Sequence, residues 1–256
     1  MPCAAGRDVP VTEASTNGIE PLLRKLEGYG PLPEADKAAL RALGAGAHRV
    51  AAGTDLIREG DEPSGVFLVL EGFACRYKLR ATGARAIMAY LVPGDFCDLD
   101  VALLPRMDHS LATLSTCRVA RVALDTTAEL LQRPALARTL RMATLVDEAT
   151  AREWLVNVGR RSGIERLAHL FCELHARLAV VGLTAGDSYD LPITQAELAD
   201  TTGQTGVHVN RTLGELRRQG LIELGQQRLT ILDMPRLRAL AEFRSNYLHL
   251  GDEAAA

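Results

Sequence analysis

The sequence predicts an α+β chain with a β-rich N-terminal half, one long central helix and a helical C-terminal third that closes on a hairpin. Three observations predict it. Short apolar runs separated by glycines fill residues 56–122, a helical pattern runs from Pro134 to about Arg160, and two short helical stretches around Gly203 precede two strand-like runs.

In the first half the candidate strands are Leu56-Ile57, Val66 to Leu70, Phe73 to Leu79, Ala86 to Val92, Ala112 to Leu114 and Val119 to Val122. Their β-branched and aromatic content suits a pleated surface, and Gly60, Gly65, Gly72 and Gly94 supply the turns between them. The economical reading is an all-β barrel over residues 19–132, preceded by a flexible tail at residues 1–18. A second mobile tail is expected at Gly251 to Ala256.

The segment 133–160 reads as one helix, long for a globular domain. Projected at roughly 100° per residue, Ala135, Met142, Leu145, Val146, Ala149 and Val156 form one apolar stripe. Leu136, Leu140, Ala143, Ala151, Trp154 and Val158 form another. Two stripes need two partners: the chain's own N-terminal domain, and the same helix of a second copy in a symmetric coiled-coil-like contact. Met142, Leu145, Val146, Ala149 and Val156 are the candidate dimer residues. A helix buried on both sides within one protomer would show the same pattern.

Ser162 and Glu165 then have capping-box spacing, and Gly159 is placed to end the preceding helix, so a domain boundary and hinge are expected near Ser162. The last domain spans 161–250. Its first helix, Arg166 to Leu178, carries a core stripe of Leu167, Leu170, Phe171 and Leu174, and Gly182 to Ser188 reads as a loop.

Two short helices around a tight turn follow. Thr194 is an N-cap with Glu197 three residues on, Ala199 sits where the helices approach, Gly203 falls at the turn, and Thr205 caps the second helix. On that helix Val209, Leu213 and Leu216 share one side, while Val207, Asn210, Arg211, Gly214 and Arg218 share the other. The outer set matches the chemistry of a DNA groove: a forked Arg for guanine, Asn for adenine or phosphate, Val for a thymine methyl and Gly for close backbone approach. His208 and Thr205 are candidate phosphate donors, and Thr194 and Gln195 complete the set at the start of the first helix. An ordinary helical hairpin has the same spacing. What favours DNA is the hairpin that follows, Leu221 to Leu224 and Arg228 to Leu232 with Gly225 as the natural turn residue, which makes a winged helix. Arg228 there meets a phosphate or remains a solvated cation.

On Gln195 to Leu216, and on Val207-His208-Val209-Asn210-Arg211 above all, the chain resembles the helix-turn-helix of the Crp/Fnr bacterial transcription regulators. Glu59-Gly60-Asp61, Val66 to Gly72 and Pro93-Gly94-Asp95-Phe96 resemble the jelly-roll of cyclic-nucleotide-binding domains, so the likeness covers about residues 40 to 245. The resemblance implies a jelly-roll barrel, a long dimerisation helix and a winged helix-turn-helix. It also implies a homodimer on a palindromic operator in double-stranded DNA, RNA polymerase as a further partner, and an effector in the barrel. Family members read bases with Arg and Glu near the helix start and a later Arg; here Gly206, Val207 and Arg211 hold those places. Members that bind a cyclic nucleotide carry Gly-Glu-Leu and, further on, Arg-Ser/Thr-Ala. This chain has Cys97-Asp98-Leu99 and His109-Ser110-Leu111. The bidentate cation for the phosphate is therefore missing, and Asp98, His109 and Ser110 are candidate residues for a different effector or a self-filled pocket.

Composition bounds these readings. With 256 residues, 47% hydrophobic and 24% charged, the chain has the material for about two packed domains. No apolar run reaches the roughly 18 residues of a membrane helix, no leader pattern precedes Val11, and a cytoplasmic location is expected. The five cysteines are odd in number and scattered, as for reduced thiols. Only Cys3 lies near the N-terminus, too few for the iron–sulfur cluster that some family members carry. Cys75, Cys97 and Cys117 read as small buried hydrophobes, and His169, Cys172 and His175 as core and surface positions, so no metal and no cofactor are expected. The alternative, a cupin-like metal-dependent enzyme or ligand-binding module whose C-terminal helices serve protein interaction, needs clustered His ligands. Only His48 and His109 precede the long helix, and no P-loop or Gly-x-Ser-x-Gly turn is present, so the chain is not expected to be an enzyme. The net charge is −3, and Glu197, Asp200, Glu215 and Glu223 balance Arg211, Arg217, Arg218 and Arg228. One such module binds phosphates weakly, which again requires two.

Overall fold

The computed structural model describes residues 18–250. The expected tails at 1–18 and 251–256 therefore lie outside the described residues, Gly18 excepted. The N-terminal half is not all-β: α1 (Glu20–Tyr29) and α2 (Glu34–Leu43) precede the barrel, and α3 (Leu124–Leu131) follows it. Pro21 lies in the first turn of α1, where a missing N–H costs nothing, and Leu22, Leu23 and Leu26 bury one face.

The barrel comprises β1 (His48–Val50), β2 (Asp55–Ile57), β3 (Val66–Glu71), β4 (Ala74–Leu79), β5 (Arg85–Leu91), β6 (Phe96–Cys97), β7 (Ser110–Thr113) and β8 (Cys117–Val122). The strands form two antiparallel four-stranded sheets in the orders β1-β8-β3-β6 and β2-β7-β4-β5, a jelly-roll sandwich. Strands β1 and β6, 3 and 2 residues long, are not among the candidate strands of the sequence. Gly94 shows why the Pro93-Gly94-Asp95 turn needs glycine: its φ is +93°, and a Cβ there would lie 2.9 Å from the Pro21 carbonyl of α1.

The long helix α4 runs from Pro134 to Arg160, so Gly159 lies inside it. Leu136, Leu140, Ala143, Val146, Ala149, Thr150 and Trp154 are buried within the protomer. This divides the stripe expected to face a second copy. Val146 and Ala149 are only 7% and 9% exposed and Met142 is half-buried, because α1, the barrel and α5 pack on that side; Leu145 and Val156 remain exposed. The other stripe is divided too: Leu136, Leu140, Ala143 and Trp154 are buried, while Ala151 and Val158 are exposed.

The helix α5 (Gly163–Val180) starts with the Ser162/Glu165 capping box. After it come β9 (Thr184–Ala185), β10 (Ser188–Asp190), α6 (Gln195–Thr202), α7 (Gly206–Arg218), β11 (Ile222–Gly225), β12 (Arg228–Ile231) and α8 (Met234–Ala241). The stretch expected as a loop at 182–188 carries β9, which extends the wing to a four-stranded sheet in the order β11-β12-β10-β9. At the wing tip, Gly225 closes β11, and the left-handed residues are Gln226 and Gln227, with φ of +51° and +59°.

A buried charge network joins the two halves. Asp95, 2% exposed, accepts hydrogen bonds from Lys25 of α1, from the Val92 N–H and from Arg177 of α5, the last at 2.7 Å. Arg177 also donates to the Tyr90 carbonyl and faces the fully buried Glu173. Glu173 accepts from Trp154 of α4 and from Tyr247. Burial alone would raise the Asp95 pKa, but the Lys25 and Arg177 charges outweigh it and hold the carboxyl below its ordinary value.

Candidate nucleic-acid interface

The helix pair is built by local chemistry. Thr194 accepts from the Glu197 N–H, while Glu197 Oε2 accepts from the Thr194 N–H at 2.7 Å, a complete capping box. Gly203 ends α6 in the left-handed conformation at φ +65°. Thr205 caps α7 by accepting from the His208 N–H at 3.2 Å. Val209, Leu213 and Leu216 are fully buried beneath α7. Thr212 joins them, its hydroxyl satisfied by the His208 carbonyl, and only the three-residue step from Val209 could have signalled it.

The opposite face is open. Val207 is 84% exposed, and Asn210, Arg211 and Arg218 are exposed beside it. Apart from its chain neighbours and the backbone of α7 itself, no atom of the described residues lies within 4 Å of where a Cβ on Gly214 would sit, so packing within the protomer does not demand glycine there. Asn210 Nδ2 donates to Gln195 Oε1 at 3.0 Å, which joins the start of α6 to the middle of α7.

The cations differ in availability. Among the described residues Arg211 has no carboxylate partner; its guanidinium meets His208 Nδ1 at 3.4 Å. Arg218 is paired with Glu215 on its own helix, and Arg228 with Asp190 across the wing at 2.8 Å. His208 is half-buried, with Nε2 close to Gly163 at the start of α5, so it leans inward. The outward phosphate role expected of it is not the one this geometry favours.

The second candidate group lies between barrel and long helix, in a cavity of about 490 Å³ lined by Arg76, Asp98, His109 and Asp147 among others. His109 Nε2 meets Asp98 Oδ2 at 3.0 Å, and Nδ1 meets Asp108 at 2.7 Å. Burial alone would lower the His109 pKa, but Asp98 and Asp108 raise it above 6.5 against the opposing charge of Arg76. Ser110 is buried, and its hydroxyl accepts from the Glu59 N–H rather than facing the cavity's charges. Arg76 is the residue the sequence reading missed: a cation that reaches this space from β4. It is spent on two carboxylates, Asp98 at 3.0 Å and Asp147 at 2.8 Å. No spacing rule links positions 76 and 147.

Cys75 and Cys172 are buried, and burial pushes both thiols up to about 12. Among the described residues no group of three or more His, Cys, Asp or Glu is placed to hold a metal ion.

Comparison with known proteins matches residues 165–240 to the Crp-like helix-turn-helix domain and residues 47–134 to the cyclic nucleotide-binding domain. The chain is 30% identical over 210 residues to the nitrogen fixation regulation protein FixK of Bradyrhizobium diazoefficiens, covering 80% of this chain and 87% of that protein. It is 30% identical to the transcriptional activator protein FnrL of Cereibacter sphaeroides, over 73% of this chain and 76% of the other. Among solved structures, FixK2 from Bradyrhizobium japonicum superposes with a TM-score of 0.68 at 23% identity, covering 76% of this chain and 96% of that one. A transcriptional regulator of the CRP family from Thermus thermophilus superposes with a TM-score of 0.62 at 20% identity, over 77% and 97% of the respective chains.

Proposed function

The chain belongs to the Crp/Fnr family of transcription regulators, and on that premise we propose that it works as a homodimer whose two α7 helices read the half-sites of a palindromic operator. The observation that carries this reading is the open face of α7, where exposed Val207, Asn210 and Arg211 sit beside the uncovered Gly214. Arg211, with no carboxylate partner among the described residues, is the base reader, by a forked bond to guanine. Arg218 and Arg228 already hold carboxylates and serve phosphates. Two half-sites one helical turn apart, about 34 Å, match two such heads.

The second copy docks along α4 on a seam of Arg141, Thr144, Glu148, Ala151, Leu155 and Val158. These recur at alternating steps of three and four, and Leu155 and Val158 stand 75% and 42% exposed. Leu145 and Val156, from the stripe first expected to face the partner, flank this seam at 48% and 46% exposure.

The barrel does not take a cyclic nucleotide on this reading. Arg76, the cation its cavity offers at β4, is neutralised by Asp98 and Asp147, and Asp98 and Asp108 would repel a phosphate. No helix among the described residues is long and apolar enough to cross a membrane. A regulator of this kind acts where chromosomal DNA and RNA polymerase are accessible, in the cytoplasm. The reading is tested by equilibrium titration of the purified chain with duplex DNA carrying a selected site: two chains bound per duplex supports it, and one chain per site at saturation refutes it.

A further inference from the structure

Outside the buried charge network, the barrel also meets the reading head along β5. β5 is the edge strand of its sheet, and α6, the first helix of the pair, packs against it. Arg85, the first residue of β5, donates from Nε to Asp200 Oδ2 at 2.8 Å and lies 3.9 Å from Glu197 Oε1. Its guanidinium is held over the Tyr77 ring, 5.9 Å from the centroid. Further along the strand, the buried Tyr90 hydroxyl bonds Thr201 of α6, and the Tyr90 ring meets Trp154 of α4 edge-on at 5.6 Å.

The receiving residues lead straight to the reading face. Glu197 faces Arg85 with Oε1 and closes the α6 capping box with Oε2. The residue after the cap is Gln195, which accepts from Asn210 of α7. A continuous set of contacts therefore runs from Arg85 through α6 to the recognition helix. The same arrangement leaves Val207 and Arg211 uncovered, so it is compatible with bound DNA.

We propose that Arg85 is a positioning residue for DNA reading: its contact with Asp200 and Glu197 clasps α6 to the barrel edge and fixes the angle at which each α7 is presented. A dimer that must place two helices in successive grooves gains affinity from that fixed angle, because each head is ordered before it binds. A single head on a single half-site gains little. The inference rests on the dimeric reading above.

The test uses the full chain and duplexes with the selected half-sites separated at the native spacing or with one base pair added or removed. Arg85→Glu should weaken binding to the native palindrome about tenfold, a typical size for coupling between sites. It should leave single half-site affinity nearly unchanged and flatten the preference among the three spacings. Arg85→Glu combined with Asp200→Arg should restore affinity and spacing preference. Arg80→Glu, the same charge change next to the strand β4 of this hairpin, controls for net charge. Native binding and spacing preference in Arg85→Glu, tighter binding in it, or an equal loss in Arg80→Glu would overturn the proposal. Should the native chain show no preference for paired half-sites at all, the dimeric reading fails instead.

Discussion

Asn210 of the recognition helix donates a hydrogen bond to Gln195 at the start of the preceding helix, at 3.0 Å and in full view of solvent. Two residues that share one bond outside the core do not act independently on an external partner. Gln195→Ala and Asn210→Ala should each weaken operator binding, and the double substitution should cost less than their sum by about 0.5–1.5 kcal/mol, the worth of one net hydrogen bond. A double-mutant cycle by fluorescence anisotropy measures it; strict additivity would mean that the two residues contribute independently to DNA binding.

Arg211 and Arg218 stand on one helix with different surroundings. Arg211→Ala should cost about 1–3 kcal/mol on the selected site and relax one base position. Arg218→Ala, whose guanidinium is shared with Glu215, should weaken all sequences alike and less. Competition with random DNA separates the two outcomes, and an equal loss on specific and random DNA for Arg211→Ala would remove its base-reading role.

The long helix offers two flanks to a partner. Leu155→Asp and Val158→Asp should shift the chain to monomer in analytical ultracentrifugation, since a charge in an apolar seam is left without a partner. Val146→Ala should instead leave the dimer intact and lower unfolding stability by about 1 kcal/mol, because Val146 is packed within the protomer.

Removing one member of the buried network leaves the others uncompensated. Arg177→Met should destabilise the fold by about 3 kcal/mol in urea unfolding, since Asp95 and Glu173 lose a shared cation. A change under about 1 kcal/mol would show that Lys25, Trp154 and Tyr247 suffice to hold the two carboxylates.

His109 gives a pH dependence whose sign follows from its partners. Its pKa in the fold is raised above 6.5, so the stabilisation it supplies is fully present below that value and is lost as pH rises through the raised one. Native protein should therefore gain melting temperature relative to His109→Gln as pH falls from about 8 to about 6. A constant difference across that window would contradict the Asp98–His109–Asp108 assignment.

The parts of the fold set by neighbouring residues were legible from sequence. Capping boxes at Ser162 and Thr194 and the turn at Gly203 need only a few residues in fixed order, and all three stand where that order puts them. The wing tip was legible only in outline, because Gln226 and Gln227 adopt a conformation that sequence rules assign to Gly or Asn. Helices α1 and α2 went unread because 10 residues each leave an amphipathic pattern fewer than three turns in which to show itself. The stripes of α4 are visible in the sequence, but which residues the barrel and α5 cover depends on contacts with distant segments, so Val146 and Ala149 read as partner-facing although they pack inside the protomer. Arg76 with Asp147 and Arg85 with Asp200 are pairings across 71 and 115 positions that local pattern does not encode.

The most direct measurement of the central claim is selection of bound fragments from random duplex DNA by the purified full-length chain. The account predicts a palindromic consensus whose half-sites lie one helical turn apart, with a guanine whose preference disappears in Arg211→Ala. A consensus without two-fold symmetry, or no enrichment over random sequence, would contradict it.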